Sequence, residues 1–301
     1  PNQPGPSGCD NACGSDLADD ECGVCGGDGL SCGGIDYCLD LHAGANLVSF
    51  YGLLEDASVG NMLSSIEGIA TGVIGEGVAA NYMDGAWQGS LTNISPLSGY
   101  WVKVNAVCSI CITDATPTDP SIQFELHPGA NLVSFPVDGS VDIGSGLPDD
   151  IEGSVSGIIG EGVAANNMGD AWQGSLTAFN GGKGYWMITT GSISFAYDVS
   201  SMSRIKFEDE VGLTAPDNKE IYQSTQQAFY FIEDIENIEV GDWILAYNGD
   251  NVIGARQWQG SIIDIPAMGS DGSDYTEGYI ETGVAPSFKI LRGDELINLE
   301  G

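Results

Sequence analysis

The strongest constraint on this fold is that one long stretch of sequence occurs twice. The chain contains GVIGEGVAANYMDGAWQGSLT from Gly72 and GIIGEGVAANNMGDAWQGSLT from Gly157. Two shorter phrases recur at the same spacing, LHAGANLVSF with LHPGANLVSF and GYW with GYW, and the offset is always 85 residues. Because the offset is constant, no net insertion separates the copies. The pattern therefore predicts a tandem duplication of one folded unit.

The duplication sets the domain boundaries that we predict. The first copy spans 35–119 and the second 120–200, which leaves an N-terminal segment 1–34 and a C-terminal domain 201–301. Each copy alternates polar and apolar residues between glycine-bearing turns, which is typical of β-strands. SVGNMLSSIEGI predicts a short helix capped by Ser58, whereas its counterpart contains more glycine and a proline and predicts only a turn. We expect a mainly β protein of tandem small sandwich- or barrel-like domains, with a short disulfide-rich N-terminal segment and little helix.

The net charge of the chain limits the classes of partner that it can bind. It has 43 acidic and 8 basic residues, a net charge of −35. Nucleic acid and anionic membrane surfaces would be repelled by such a surface. The sequence has no apolar run of about 18 residues, so we expect no membrane insertion, and it shows no cleavable signal peptide. An acidic surface favours bound cations, Ca²⁺ above all, although a salty habitat or simple solubility explains it equally well.

The cysteines are concentrated near the N-terminus. The eight are Cys9, Cys13, Cys22, Cys25, Cys32, Cys38, Cys108 and Cys111. Residues 9–32 have few apolar side chains, so this segment needs covalent or metal cross-links to hold a shape. We favour disulfides, and hence a secreted, extracellular protein, over a redox pair or a Cys₄ zinc site built from the two CxxC spacings. Five cysteines precede the first copy and three lie within it, so full pairing requires a bridge between the two parts.

Two resemblances accompany these patterns. DECGVCGGDG resembles the Cys-rich, calcium-associated segments of thrombospondin-type and related secreted matrix proteins, although the strict D-x-D-x-D-G spacing is missing. This resemblance implies cation ligands among Asp10, Asp16, Asp19, Asp20 and Asp28. The pattern G-x-N-L-V-S-F…W-x-G-S-L…G-Y-W-V-K resembles repeats in secreted, multidomain bacterial surface proteins. It implies an extracellular structural module and carries no enzymatic activity with it.

The C-terminal domain contributes a hairpin signal and a second candidate calcium site. Asn248-Gly249-Asp250-Asn251 predicts a two-residue β-hairpin turn. In MGSDGSDYTEGY, oxygen-bearing side chains crowd around glycines, which suits Ca²⁺ without the spacing of an EF-hand; a solvated turn explains the composition equally well. The candidate ligands are Asp271, Ser273, Asp274 and Glu277.

Three kinds of chemically capable residue recur in both copies. They are His42 and His127, Glu76 and Glu161, and Trp87 and Trp172. The histidines have no nucleophile or carboxylate motif beside them, so we interpret them as structural turn residues. The glutamates lie between glycines and either cap that turn or bind a cation. The tryptophans either pack in the core or form, with the glutamates, a platform for a sugar ligand.

No motif in the sequence pairs a nucleophile with a base, so we do not expect an enzyme. The expected function is that of a non-enzymatic extracellular structural protein, a calcium-stabilised subunit of a surface filament, sheath or layer. It would assemble with itself as a homopolymer, or with other surface proteins, by docking a strand or its Pro/Gly-rich tail. The alternative is an adhesin-like surface protein that binds glycans. Buried tryptophans would favour the structural role, and a solvent-facing row would favour glycan binding.

Overall fold

The computed structural model describes residues 9, 15, 17, 18, 25, 33–169, 171–203, 213, 215, 216 and 219–299. Antiparallel β-sheets are the main regular structure of this part of the chain, with 48% of the residues in strands and only three short α-helices. The predicted fold class, mainly β with little helix and a disulfide near the N-terminus, is confirmed. Among the described residues, no helix has the length and apolar character needed to cross a membrane.

The first copy, called repeat 1, consists of two antiparallel sheets around one core. Its strands are β1 (Ile35–Leu41), β2 (Gly44–Val48), β3 (Gly52–Leu53), β4 (Ala70–Gly75), β5 (Val78–Met83), β6 (Ala86–Gly89), β7 (Tyr100–Val104) and β8 (Cys108–Pro117). The larger sheet has the order β2-β7-β4-β5-β6 and the smaller β1-β8-β3. The predicted helix is present as α1 (Val59–Met62), followed by a 3₁₀ turn. The predicted cap is wrong in one respect, because Ser58 takes the N-cap position but its side chain makes no capping hydrogen bond. Its buried Val59, Met62 and Ile66 join the core between the sheets.

Repeat 2 reproduces the larger sheet. Its strands are β9 (Phe124–Leu126), β10 (Gly129–Ser134), β11 (Ser140–Asp142), β12 (Val155–Ile159), β13 (Ala164–Asn167), β14 (Trp172–Gly174), β15 (Ala178–Asn180), β16 (Gly184–Thr189) and β17 (Ile193–Phe195). The order β10-β16-β12-β13-β14 matches that of repeat 1, and two-stranded sheets β11-β15 and β17-β9 complete the unit. A separate cluster of buried side chains forms its core.

The prediction of only a turn after β11 is wrong. The structure has two four-residue helices there, α2 (Ile143–Gly146) and α3 (Asp149–Glu152). The side chain of Asp142 accepts hydrogen bonds from the backbone N–H groups of Gly144 (3.0 Å) and Ser145 (3.3 Å). This cap satisfies donors that a helix start leaves free. Local capping and burial of Ile143 therefore outweigh the glycine and proline content of the segment.

The C-terminal domain has a third core of its own. Its strands are β18 (Gln227–Ile232), β19 (Trp243–Asn248), β20 (Asn251–Gln257), β21 (Ile263–Met268), β22 (Ser287–Arg292) and β23 (Glu295–Asn298). Strands β18 and β21 pair, and the other four form a sheet in the order β20-β19-β22-β23. The predicted hairpin is confirmed, because Gly249 and Asp250 alone connect β19 to β20.

The glycine of each repeated WQGS phrase has a packing reason. A Cβ on Gly89 would lie 2.1 Å from the carbonyl oxygen of Ala79, and one on Gly174 would lie 2.2 Å from that of Ala164. Any side chain at these two positions would collide with the neighbouring strand. Glycine is therefore required wherever this sheet is copied.

Candidate functional site: the junction between the repeats

The two repeats contact each other through equivalent surfaces. A β-bridge joins Val48 to Lys183, and its counterpart 85 residues along joins Ser98 to Val133. Ser49 donates its N–H to the carbonyl of Gly182 (3.0 Å), and the equivalent Ser134 donates to Leu97 (3.2 Å). When each contact is matched by its reverse, the interface has two-fold character. We call this surface the inter-repeat junction.

One end of the junction is closed by Glu161 of repeat 2, which reaches into repeat 1. Its Oε1 lies 2.7 Å from Nε2 of His42, and its Oε2 accepts the backbone N–H of Leu47 at 2.7 Å. The Asn46 side chain holds the turn that carries His42, accepting from the His42 N–H and donating to the His42 carbonyl, both at 2.9 Å. A single carboxylate thus ties together a side chain and a strand of the other repeat.

The other end repeats these contacts in the opposite direction. Oε1 of Glu76, in repeat 1, lies 2.6 Å from Nε2 of His127, and its Oε2 accepts the backbone N–H of Leu132 at 2.8 Å. Asn131 holds the histidine turn as Asn46 does. From the sequence, we expect each glutamate to cap its own turn or bind a cation. In the structure, each carboxylate instead binds groups of the other repeat.

Both ring nitrogens of each junction histidine face oxygen. Nδ1 of His42 lies 2.8 Å from the carbonyl of Ala43, and Nδ1 of His127 lies 2.9 Å from that of Pro128. With a carboxylate at Nε2, only the doubly protonated ring can donate on both sides. Burial lowers the pKa of His42, but its hydrogen bond to Glu161 and the charge of that carboxylate outweigh this effect, so the pKa is raised. The Pro128 carbonyl and then Glu76 raise the pKa of His127.

Between the two Glu–His pairs the junction is apolar. Leu47, Leu132 and Trp101 are at most 3% exposed, and Ala45, Ile74 and Trp186 pack around them. At its centre the chains cross at two glycines. A Cβ on Gly99 would lie 3.2 Å from the Cα of Gly184, and the reverse distance is the same. The repeated GYW phrase thus supplies a glycine for close approach and a tryptophan for the apolar contact.

The predicted ligand platform has other partners. Trp87 packs on the repeat 1 core and meets the Tyr82 ring edge-on. Trp172 packs on the repeat 2 core and donates its indole N–H to Glu152 at 2.5 Å. All six tryptophans of the chain lie in its described part, and each is buried or half-buried. The carboxylates of Glu76 and Glu161 are committed to the junction.

The described cysteines form two disulfides, Cys9–Cys25 and Cys38–Cys111. The second joins directly opposed residues of β1 and β8, so Cys111 cannot serve the zinc site considered from its CxxC spacing. Cys108 is a half-buried free thiol whose pKa is raised by burial. Full pairing, which would require a bridge between the N-terminal segment and repeat 1, is not reached, because Cys108 is a free thiol and the other two cysteines of repeat 1 bridge each other. Cys13, Cys22 and Cys32 lie outside the described residues.

Only some of the candidate calcium ligands lie among the described residues. Asp10, Asp16, Asp19, Asp20 and Asp28 lie outside the described residues. In the C-terminal loop, the buried carboxylate of Asp271 pairs with Lys103 of repeat 1 (3.1 Å) and accepts hydrogen bonds from Ser273 and Thr276. These partners outweigh burial and hold the Asp271 pKa well below its usual range. Asp274 and Glu277 are exposed. Within the described ranges, no group of three or more His, Cys, Asp or Glu side chains is placed to hold a metal ion.

A second cluster, which the sequence did not indicate, attaches the C-terminal domain to repeat 2. Asp264 accepts the N–H (2.5 Å) and hydroxyl (2.8 Å) of Ser175, and Arg256 lies 3.1 Å from the same carboxylate. Arg256 is 2% exposed and Asp264 is fully buried. Burial raises the pKa of Asp264, and the charge of Arg256 and the Ser175 hydrogen bonds offset part of that rise. In the sequence, Arg256 and Asp264 look like ordinary strand residues. The only signal of their role is that each charged residue lies within a mostly apolar strand.

No protein-family model, curated protein or solved structure matches this chain. The family resemblances read from the sequence motifs therefore stay predictions. The arrangement itself can hold two folded units together at two ionic contacts around an apolar centre. The sequence signal for it was a histidine and a glutamate that recur together at the same 85-residue offset.

Proposed function

We propose that this protein is a non-enzymatic, extracellular structural protein, a subunit of a surface filament, sheath or layer. One observation carries the proposal: the most distinctive repeated residues are used to join the repeats. His, Asn, Glu and the Gly-Tyr-Trp phrase of both copies lie at the inter-repeat junction or support it. A duplicated catalytic site would instead direct its repeated polar side chains into a cleft.

Two further features support an extracellular scaffold. Disulfides persist in oxidising compartments, and the two described bridges fit such a location. The tryptophans pack against protein, which is the arrangement expected of a scaffold. We further propose that Ca²⁺ stabilises the assembly, because the net charge of −35 makes contacts between copies repulsive unless cations screen or bridge them.

Electron microscopy of the purified chain tests this proposal. Samples are compared in millimolar Ca²⁺, in chelator, and in Mg²⁺ at matched ionic strength. Regular filaments or sheets that loosen in chelator and are not restored by Mg²⁺ are the expected result. Dispersed monomers under all three conditions would refute the assembly role, and equal assembly in both cations would reduce the role of Ca²⁺ to screening.

One observation favours the alternative, a glycan-binding surface protein. Repeat 2 has an open cleft of about 250 Å³ lined by Glu152, Ser156 and Asn167, among others. In repeat 1 the position of Asn167 is taken by Tyr82, whose hydroxyl bonds to Glu67 at 2.5 Å. A glycan array probed with the wild-type chain and with Asn167→Tyr tests this function. Binding that the variant loses would support it, and no binding by either chain would exclude it for the glycans on the array.

A further inference from the structure

The C-terminal domain breaks the two-fold character of the repeats. It covers one end of the junction, a surface that we call the covered face: Gly44, Gly160, Gly162, Val163 and Ser175. The residues 85 positions away form the open face: Gly75, Gly77, Val78, Ser90 and Gly129. All five residue types are the same on both faces.

Exposure separates the two faces. Val163 is 3% exposed on the covered face, and Val78 is 36% exposed on the open face. A Cβ on Gly162 would meet Gln223 and Leu213, whereas one on Gly77 would meet none of the described residues within 4 Å. Gly44 has neighbours from the C-terminal domain, and its counterpart Gly129 has none within that distance in the described part of the chain. The open face is therefore an uncovered copy of a surface that repeat 2 uses for docking.

The C-terminal domain recognises the covered face mainly through backbone groups. Arg256 donates to the carbonyl of Gly162 at 2.8 Å. The Gln227 amide donates to the carbonyl of Gly160 (2.9 Å) and accepts the N–H of Gly162 (3.3 Å). In the third contact, the Asp264 carboxylate accepts hydrogen bonds from both the N–H and the hydroxyl of Ser175.

Repeat 1 presents the same backbone groups, because its sheet has the same register. Ile74 pairs with Ala79 as Ile159 pairs with Ala164. Ala80 pairs with Gly89 as Ala165 pairs with Gly174. Ser90 follows its strand as Ser175 follows β14, and its hydroxyl likewise accepts the N–H of a β5 residue, Ala79.

We propose that the open face is an interaction surface for another protein chain. Its partner is a β-module that presents an arginine–aspartate pair and a glutamine amide from neighbouring strands, as this chain's C-terminal domain does. That domain is already docked on repeat 2, so a second module must supply the groups. Charge favours such a partner, because Lys103 and Lys183 are the only lysine or arginine residues before Arg204. The nearby His127 ring is paired with the Glu76 carboxylate, so an arginine meets little repulsion.

One difference between the faces defines the partner further. Lys103, which pairs with Asp271 of the C-terminal domain, corresponds to the half-buried Ile188 beside the open face. A carboxylate placed there would be desolvated without a cation. The partner therefore presents an apolar side chain where the C-terminal domain presents Asp271. This inference goes beyond the structural role proposed above and does not depend on filament formation.

Full-length chains can test the proposal. The donor chain carries Gly162→Trp, Ser175→Arg and Ser90→Arg, which obstruct both of its faces and free its own C-terminal domain as the probe. It also carries Asp271→Ala, which removes the carboxylate that would otherwise lie against Ile188. The acceptor is the wild-type chain, whose open face is intact, and the matched control acceptor carries only Ser90→Arg. Binding is measured between immobilised acceptor and soluble donor and checked by sedimentation velocity.

We expect the donor to bind the wild-type acceptor at least ten-fold more tightly than the Ser90→Arg acceptor. Wild-type chain used as donor should bind neither, since its C-terminal domain is occupied. Equal binding to both acceptors, or no binding to either, overturns the proposal. A second donor with Ser175→Arg, Ser90→Arg and Asp271→Ala applies the same criterion if the first donor does not fold.

Discussion

The glycine crossing at the centre of the junction gives the sharpest stability prediction. A Cβ on Gly99 would lie 2.9 Å from the carbonyl oxygen of Val133 and 3.0 Å from Cδ1 of Leu132. On Gly184 it would lie 2.8 Å from the carbonyl oxygen of Val48. These neighbours are backbone atoms and buried side chains of the other repeat, so the clash is relieved only by separating the repeats.

Overpacking of this kind typically destabilises by about 1–3 kcal/mol. We expect that loss for Gly99→Ala and for Gly184→Ala, a shift of about 2–4 °C in melting temperature for each kcal/mol in a unit of this size. Trp101 and Trp186 lie two residues from the glycines and in the same apolar cluster, so tryptophan fluorescence during thermal and urea unfolding reports on the crossing. The matched control is Gly153→Ala, where an added Cβ would meet no atom of the described ranges within 4 Å.

The control should raise the melting temperature by about 1–4 °C, because an unstrained glycine-to-alanine change stabilises by about 0.4–1 kcal/mol through the unfolded chain. The double variant should lose more than either single variant but less than their sum, because both methyl groups strain the same crossing. Melting temperatures of the two single variants equal to that of the control would refute the claim that the repeats are packed backbone to backbone.

Three other predictions concern the ionic and covalent contacts. Because the pKa values of His42 and His127 are raised, these rings stabilise the fold fully below about pH 6.5, the ordinary value. This contribution is lost as the pH rises through the raised value. Thermal melts from pH 5 upward should show the decline in stability, and the double variant His42→Gln/His127→Gln should flatten it. Replacing Cys38 and Cys111 by serine removes a disulfide that closes a loop with a sequence separation of 73. Chemical unfolding should then show that the free energy of unfolding falls by about 4 kcal/mol. A fall of less than about 1 kcal/mol would contradict the loop-entropy argument. Asp264→Asn leaves the Arg256 charge buried without its partner, so calorimetry should show a loss of about 3–5 kcal/mol, whereas an unchanged profile would mean that the pair is hydrated.

Local patterns predicted the parts of this fold that depend on neighbours in sequence. Alternating polarity predicted the strands, Asn248 to Asn251 predicted the hairpin, and the segment after Ser58 predicted α1. Each of these patterns is contained in a short stretch of sequence, although the strands then pair with distant partners. The helices after β11 escaped prediction because a single aspartate cap and one buried isoleucine outweighed an unfavourable composition.

The site escaped prediction for a different reason. His42 and Glu161 are 119 residues apart in sequence, and His127 and Glu76 are 51 apart. No local sequence pattern specifies a pairing between residues so far apart. The constant 85-residue offset restricts the possibilities only by requiring the two pairs to be equivalent. Asp271 shows the same limit: beside its acidic neighbours it suggested a calcium ligand, while the lysine that pairs with it belongs to another domain.

The short tether between the repeats changes what the junction must achieve. Only six residues, 118–123, separate the end of β8 from the start of β9. Two surfaces joined by a short linker meet at an effective concentration in the millimolar range. An interface that would bind with a dissociation constant of only about 1 mM between separate chains, or about −4 kcal/mol, would therefore be at least half closed within one chain at any dilution. Each face can then lose contacts one at a time without the pair separating.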